Sequence, residues 1–257
     1  MSKNLPVPSP QGGNAVVSAA QLAEWQADAG QGAEEIRPQD IAVPFIGHVQ
    51  ALSKQLAEND PKYLPDAKIG TLFNTVTGEI FSAKDGIHVV PAELRRIVVE
   101  KQPKERGGKI VATYNTRAEA QENAESGNEL LDGFRVFLLY QTVGGGWSPA
   151  IMSFGTKSKI YTMKHWNALL TGLRVPGPNG TPIQPPIFAW TYRITSAQQE
   201  FDDGTAAVLK VSPVGPTPDD VYQQVKKFRA ALAEGAVKVA TETDDEVGES
   251  KDDDLPY

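Results

Sequence analysis

The chain contains no cysteine. A disulfide scaffold, a Cys-liganded zinc site, an iron–sulfur cluster and a thiol nucleophile are thereby excluded, and the composition fits a reducing, cytoplasmic setting. Histidine is nearly as scarce. His48, His88 and His165 are scattered along the chain, and none has a second ligand at metal spacing, so each is expected at the surface or in packing. No apolar run approaches the roughly 18 residues of a membrane span. Met1 to Pro10 holds one lysine and no apolar stretch, so no secretory signal and no membrane association are expected. The Asn179-Gly180-Thr181 sequon is then a chance match. Enzyme signatures are missing as well. There is no Walker loop (Ser153 to Ser158 lacks the Gly-Lys order), no H-E-x-x-H, no G-x-S-x-G and no EF-hand loop. Asp202 and Asp203 precede Gly204 and read as a hairpin turn rather than a metal pair. The expectation is a protein without catalytic residues, cofactor or metal.

What is present is charge with a location. Twenty-five Lys and Arg stand against thirty-two Asp and Glu, a net −7. Residues 241–257 hold eight acids and one base, which is −7 by itself. Residues 41–240 hold 22 bases and 19 acids and are slightly basic. The acidity therefore belongs to a terminal segment and not to the block able to fold.

Composition divides the chain into a flexible arm (1–40), rich in Pro, Gly, Ala and Gln with Trp25 as a docking residue, a folded block (41–235) and a disordered acidic tail (236–257). In the folded block, Pro44 within an apolar run marks an edge or extended packing segment. Thr77-Gly78 sits in a hairpin from Ile69 to Phe81. Ile87–Val99 is a β-branched run interrupted near Pro91, and Lys109–Tyr114 is a further strand. Thr116 and Glu119 form a capping box before a polar surface helix. Phe134–Thr142 and Trp147–Phe154 flank a triple-glycine turn. A helix follows from Lys157 to Thr171. Ile187–Phe201 and Thr205–Val211 form a second hairpin. A last helix runs from Pro218 to Glu234, capped by Thr217 and stopped by Gly235. This order predicts a mainly β (α+β) fold: an OB-like five-stranded antiparallel barrel with a helix between strands three and four, plus a C-terminal helix. Strands one to five are Ile87–Val99, Phe134–Thr142, Trp147–Phe154 and the two arms of the second hairpin. Another antiparallel α+β arrangement would have the same element order.

Two features point to a ligand. Arg95, Arg96, Lys101, Lys104, Arg106 and Lys109 form a basic run around Gly107-Gly108 against Glu100 and Glu105. Cations on a loop beside a sheet suit a phosphate backbone. With them come aromatics on strands, Tyr114, Phe137, Trp147, Trp190 and Tyr192. Arg135 lies on the face of Phe137 and Arg193 on that of Thr191, the mixed faces that favour base stacking. Most such rings must also serve the core.

The second feature is the ending Asp252, Asp253, Asp254, Leu255, Pro256, Tyr257. It resembles the C-terminus of single-stranded-DNA-binding proteins, whose bacterial members end in Asp-Asp-Asp-Ile-Pro-Phe. The aspartates and Pro256 match, Leu255 stands for Ile and Tyr257 for Phe. The likeness covers the last six residues closely and the preceding acidic segment in character. Length, N-terminal arm and C-terminal helix depart from the bacterial protein, so a phage-type member fits better. The resemblance implies binding of single-stranded DNA during phage DNA replication, recombination or repair in the host cytoplasm. It also implies that the tail recruits replication and recombination proteins. Physically, eight acids in 17 residues keep the segment extended. Its apolar tip and terminal carboxylate suit a pocket rimmed by Arg or Lys, and the acids can compete with DNA for the protein's own cations. Two alternatives stay open: a single-strand annealing protein, and a structural or assembly protein with an acidic interaction tail. Homo-oligomerisation is open too.

Overall fold

The computed structural model describes residues 42–201, 204–235 and 238–239, with isolated positions between 18 and 31. Trp25, almost all of the N-terminal arm, the Asp202-Asp203 turn and the acidic tail with Asp252–Tyr257 lie outside the described residues.

The chain opens with two short strands, β1 (Ala42–Val43) and β2 (Ile46–His48), followed by the hairpin β3 (Leu72–Asn74) and β4 (Ile80–Phe81). The β-branched run becomes β5 (Ile87–Lys101). An insertion follows, with β6 (Ile110–Tyr114) and α1 (Arg117–Asn123). The Thr116 side chain accepts from Glu119 N (3.1 Å), and Glu119 Oε2 accepts from Asn115 N, so the capping box forms with its return bond one residue early. Then come β7 (Glu129–Gln141), β8 (Trp147–Phe154), α2 (Lys157–Gly172), the small pair β9 (Val175–Pro176) and β10 (Pro182–Ile183), the long hairpin β11 (Trp190–Phe201) and β12 (Gly204–Pro216), α3 (Asp219–Ala233) and β13 (Lys238–Val239). Ile187–Ala189 is a 3₁₀ turn and not the start of a strand. The cap of α3 shifts by one residue: Pro218, in an extended conformation, holds the N-cap position expected for Thr217, whose hydroxyl is buried.

The fold is mainly β, with antiparallel sheets and helices added. The strands expected as one to five are β5, β7, β8, β11 and β12. They stand side by side in the order five, four, one, two, three, with β6 on β5 beyond the end of β11. The expected OB-like barrel is not shown among the described residues. Among the described residues the end strands β8 and β12 are not paired with each other. The physical reason is that both edges are taken. On β8, Ile151 N donates to Pro44 O (2.9 Å) and Phe45 bridges Ile151 in parallel, so the Pro44 segment holds the place a closing strand would need. On β12, Thr162 of α2 donates to Leu209 O (2.8 Å). Helix α2 packs on both end strands, and Trp166 touches Phe154 of β8 and Tyr192 of β11 at ring-centroid distances of 6.0 and 5.7 Å.

Two apolar layers result. On one face, Ile87, Val89, Val136, Leu138, Met152, Ile194 and Leu209 pack with Met163, Trp166 and Leu170 of α2 and with Ile46, Leu72 and Phe81 of the small sheet β2–β3–β4. On the other face, α3 lays Val221 and Val225 on Val90, Ala92, Leu139 and Phe188, and Leu232 beside Val43, Phe45, Phe137 and Ile151. No helix among the described residues is long and apolar enough to cross a membrane.

Candidate nucleic-acid interface

The interrupted periodicity of β5 decides where its arginines point. Its register with β7 shifts between Pro91 and Glu93, a bulge at a residue that has no N–H to give. Before the bulge the odd residues Ile87 and Val89 enter the α2-side core; after it the even residue Leu94 does. Glu93 and Arg95 are thereby turned onto the α3 face, and Arg96 onto the opposite one.

The register then sets Arg95 directly against Arg135 of β7, with Ser153 of β8 next in the row. The adjoining row is Glu93, Phe137 and Ile151, with Phe45 bridged to Ile151. Like charges directly opposed on neighbouring strands cost stability unless something holds them. Here the Arg95 guanidinium carbon stands 4.6 Å from the centroid of the Phe137 ring, and that of Arg135 stands 5.8 Å from Phe45. Arg95 Nε also donates to Glu93 Oε1 at 2.6 Å. Both arginine pairings lie beside the C-terminal end of α3, where Leu232 joins the same apolar cluster.

The remaining expected site residues do not form one patch. Arg96 is exposed and lies over Phe134 (5.5 Å) on the α2-side face. Lys101 is buried at 3 % exposure and is withdrawn from the surface. Lys104 opens a 3₁₀ turn (Lys104–Arg106), but its side chain lies outside the described residues. Arg106 reaches across to Gly127, where a Cβ would stand 2.6 Å from its Nη2, so it ties two loops of the insertion together. Lys109 is exposed after the turn at Gly107 and Gly108, both at positive φ.

Of the aromatics, Phe137 and Tyr192 are each 1 % exposed. They are core residues with no ring face for a base, because the pleat that carries them also carries the packing of α3 and of Trp166. Trp190 is half-buried against the α2-side core. Trp147 is half-buried against the α3 layer. Arg193 is exposed on the α3 face, in register with His88, which hydrogen-bonds Gln141 through Nδ1 (3.0 Å).

Tyr114 serves the insertion rather than a ligand. Its hydroxyl donates to Glu100 Oε2 (2.6 Å), while Oε1 accepts from Asn128 Nδ2 (2.6 Å) and Glu125 N (2.8 Å). Burial alone would raise the Glu100 carboxyl, but these three donors hold it below the ordinary carboxylate value. The Tyr114 phenol is pushed up to about 12, first by its bond to that carboxylate and then by burial and nearby acids.

Sequence reasoning missed Arg229 of α3, whose guanidinium carbon stands 4.9 Å from the Phe188 ring centroid. Lys226 and Lys227 accompany it, exposed, on the same helix. The available signal was the Lys226-Lys227-Phe228-Arg229 run, read only for its apolar stripe. Among the described residues, no group of three or more His, Asp or Glu could hold a metal ion.

The α3 face thus carries ring-backed arginines, Arg95 and Arg229 exposed and Arg135 half-buried. A family model, the Pam3 phage gp34-like protein, matches residues 11–238. The chain belongs to that family. It is a family of phage proteins, and the match takes in every strand and helix of the two layers described above. A search of curated proteins found no match.

Proposed function

We propose that this phage protein binds single-stranded DNA during replication or recombination, without catalysis and without a cofactor. The observation that carries the reading is the opposed pair Arg95 and Arg135 on one sheet face, Arg95 exposed and Arg135 half-buried. Arg95 is already paired with Glu93 and both guanidinium groups lie over rings, and an anionic backbone would add to that compensation. Arg193 adds a cation farther along the same face, and Trp147 adds a partly open ring.

The strand order supports an OB-like sheet that has been opened by the Pro44 segment on its third strand. In OB folds the face of strands two and three takes the oligonucleotide. Here α3 covers that face, so the bound strand runs beside α3 instead of across the rings beneath it. The tail leaves from the same region. β13 pairs in parallel with β1, placing Val239 in register with Val43. The acids begin three residues later, at Glu242. In this reading the tail competes with DNA for the arginines and captures a replication or recombination enzyme through Asp252–Tyr257, and the docking of β13 beside Phe45 supports the first of these.

The test is fluorescence anisotropy with an oligo-dT and a duplex of equal length across a salt series. Tighter binding to oligo-dT is expected, with log K falling against log salt by about 0.7 per phosphate neutralised. The double variant Arg95→Gln/Arg135→Gln should flatten that slope. Equal affinity for duplex and single strand, or no binding at low salt, sinks the proposal.

A further inference from the structure

One row of side chains crosses all five strands of the sheet on its α3 face. Arg193 of β11 is in register with Ser212 of β12 on one side and with His88 of β5 on the other. The row passes to β7 through the bond from His88 Nδ1 to Gln141 Oε1 (3.0 Å), and Gln141 is in register with Trp147 of β8. The chain neighbours Ile87, Val89, Tyr140, Tyr192, Ile194 and Val211 enter the α2-side core, so the row points the other way. Helix α3 seats Val221 and Val225 on the adjoining row, at Val90 and Leu139, and leaves this one open. Arg193 and Ser212 are exposed, and His88, Gln141 and Trp147 are half-buried. Lys210, also exposed, lies two residues from Ser212 on the same face of β12.

The cations of this row are unclaimed. Among the described residues no acid pairs with Arg193 or Lys210, and the one hydrogen bond of the His88 and Gln141 side chains is the bond they share. A carboxamide oxygen can only accept, so His88 Nδ1 carries the proton. That leaves a lone pair on His88 Nε2 beside the two N–H groups of Gln141 Nε2. An acceptor next to a donor is what the edge of an unpaired base requires.

We infer that this row is a base-contacting strip for single-stranded nucleic acid: one base stacks on the open part of Trp147, a base edge meets Gln141 and His88, and a phosphate lies on Arg193 and Lys210. Trp147 and Arg193 stand three strand gaps apart, about 14 Å, so the stacked base and the held phosphate belong to different nucleotides. Asp219 and Asp220, exposed in the first turn of α3, disfavour phosphates on that side and leave the charge contact to β11 and β12. The inference rests on the nucleic-acid proposal and adds bases to a contact otherwise made by charge.

The full-length protein is to be titrated with oligo-dT and with an abasic oligonucleotide of the same length, as wild type, Arg193→Gln, Gln141→Met and Trp147→Leu. Wild type should bind oligo-dT about five- to a hundredfold more tightly than the abasic strand, the worth of a stacked base. Arg193→Gln should weaken both strands by about three- to tenfold and lower the salt slope by about 0.7. Gln141→Met, which keeps the length of the side chain and removes its donors, and Trp147→Leu should weaken oligo-dT alone, with the slope unchanged. Gln141 is at the surface, so its variant carries the test even where Trp147→Leu disturbs the α3 layer. Equal wild-type affinity for the two strands overturns the strip and leaves the nucleic-acid proposal standing. So does binding of oligo-dT that neither Arg193→Gln nor Gln141→Met alters, or that only Arg193→Gln alters. Binding of neither strand at low salt overturns both.

Discussion

His48 shows how one side chain sets a pH limit on the fold. It is 2 % exposed, and Gln50 fixes its tautomer. The Gln50 carboxamide is oriented by the β12 backbone, its Oε1 accepting from Ala207 N (3.1 Å) and its Nε2 donating to Ala207 O (2.9 Å). Nε2 also donates to His48 Nδ1 (3.1 Å), so Nδ1 carries no proton and His48 Nε2 is left to donate to Ser196 Oγ (2.8 Å). Burial, aided by the charge of Lys159, pushes the imidazole down to about 3 from its ordinary 6.5. Well above pH 6.5 the ring is neutral folded or unfolded, and this group adds no pH dependence. Below it, the unfolded chain takes a proton that the folded one refuses, so stability falls as pH drops toward the folded value. Near pH 5 the slope should be about 1.4 kcal/mol per unit. Glu100 adds its own loss only as pH falls through its ordinary value of 4.5, because its folded carboxyl is held lower. Urea melts at pH 7, 6 and 5 isolate His48. The native protein should weaken across this window while His48→Gln, less stable at pH 7, stays nearly flat. An equal slope in the variant would place the titration elsewhere.

At the scale of elements, the same glutamine guards an edge. The long strand β12 ends the sheet, and its outward backbone groups invite pairing with another chain. Gln50 covers Ala207 on both its N–H and its C=O, and Thr162 covers Leu209 O. Gln50→Ala should cost about 1–3 kcal/mol by leaving those groups unsatisfied. It should also promote self-association beyond that of the native chain, visible as a steeper concentration dependence of the sedimentation coefficient. Unchanged stability and sedimentation would show that water replaces the amide at no cost. Neither contact was legible in the sequence, because Gln50 and Ala207 are 157 residues apart. What was legible was local. The turns at Thr77-Gly78 and Gly144–Gly146, the capping box at Thr116 and the stripe of α3 each rest on neighbours in the chain, and all appear at or within a few residues of their expected places. The succession of strands and helices along the chain was legible in the same way. Barrel closure was not, since it depended on whether Pro44 or β12 would take the edge of β8, a competition between segments about 160 residues apart.

At the scale of the molecule, the site was legible in composition but not in geometry. The basic run from Arg95 to Lys109 was visible, yet the pleat and the Pro91 bulge distribute it over two faces, and Lys101 is buried. Arg135 was found through its strand position; Arg229 was hidden inside a helix read for its apolar side. What unites the charges is the path of the chain. α3 ends beside Arg95 and Arg135, and β13 docks on β1 two residues before Phe45, over which Arg135 lies. A segment of 17 residues carrying eight acids continues from there, tethered at an effective concentration no free anion would match. If these acids and DNA contend for the same arginines, removing residues 241–257 should leave affinity for oligo-dT equal or higher, with the gain largest at low salt, where screening is weakest. The gain should also vanish in the Arg95→Gln/Arg135→Gln background, since the competitors would then have little to contend for. Anisotropy titrations of the four proteins at two salt concentrations give this double-mutant comparison. A large loss of affinity on deletion would mean that the tail helps to hold DNA. A gain that persists without the two arginines would mean that the tail repels DNA by its charge at a distance, without occupying this site.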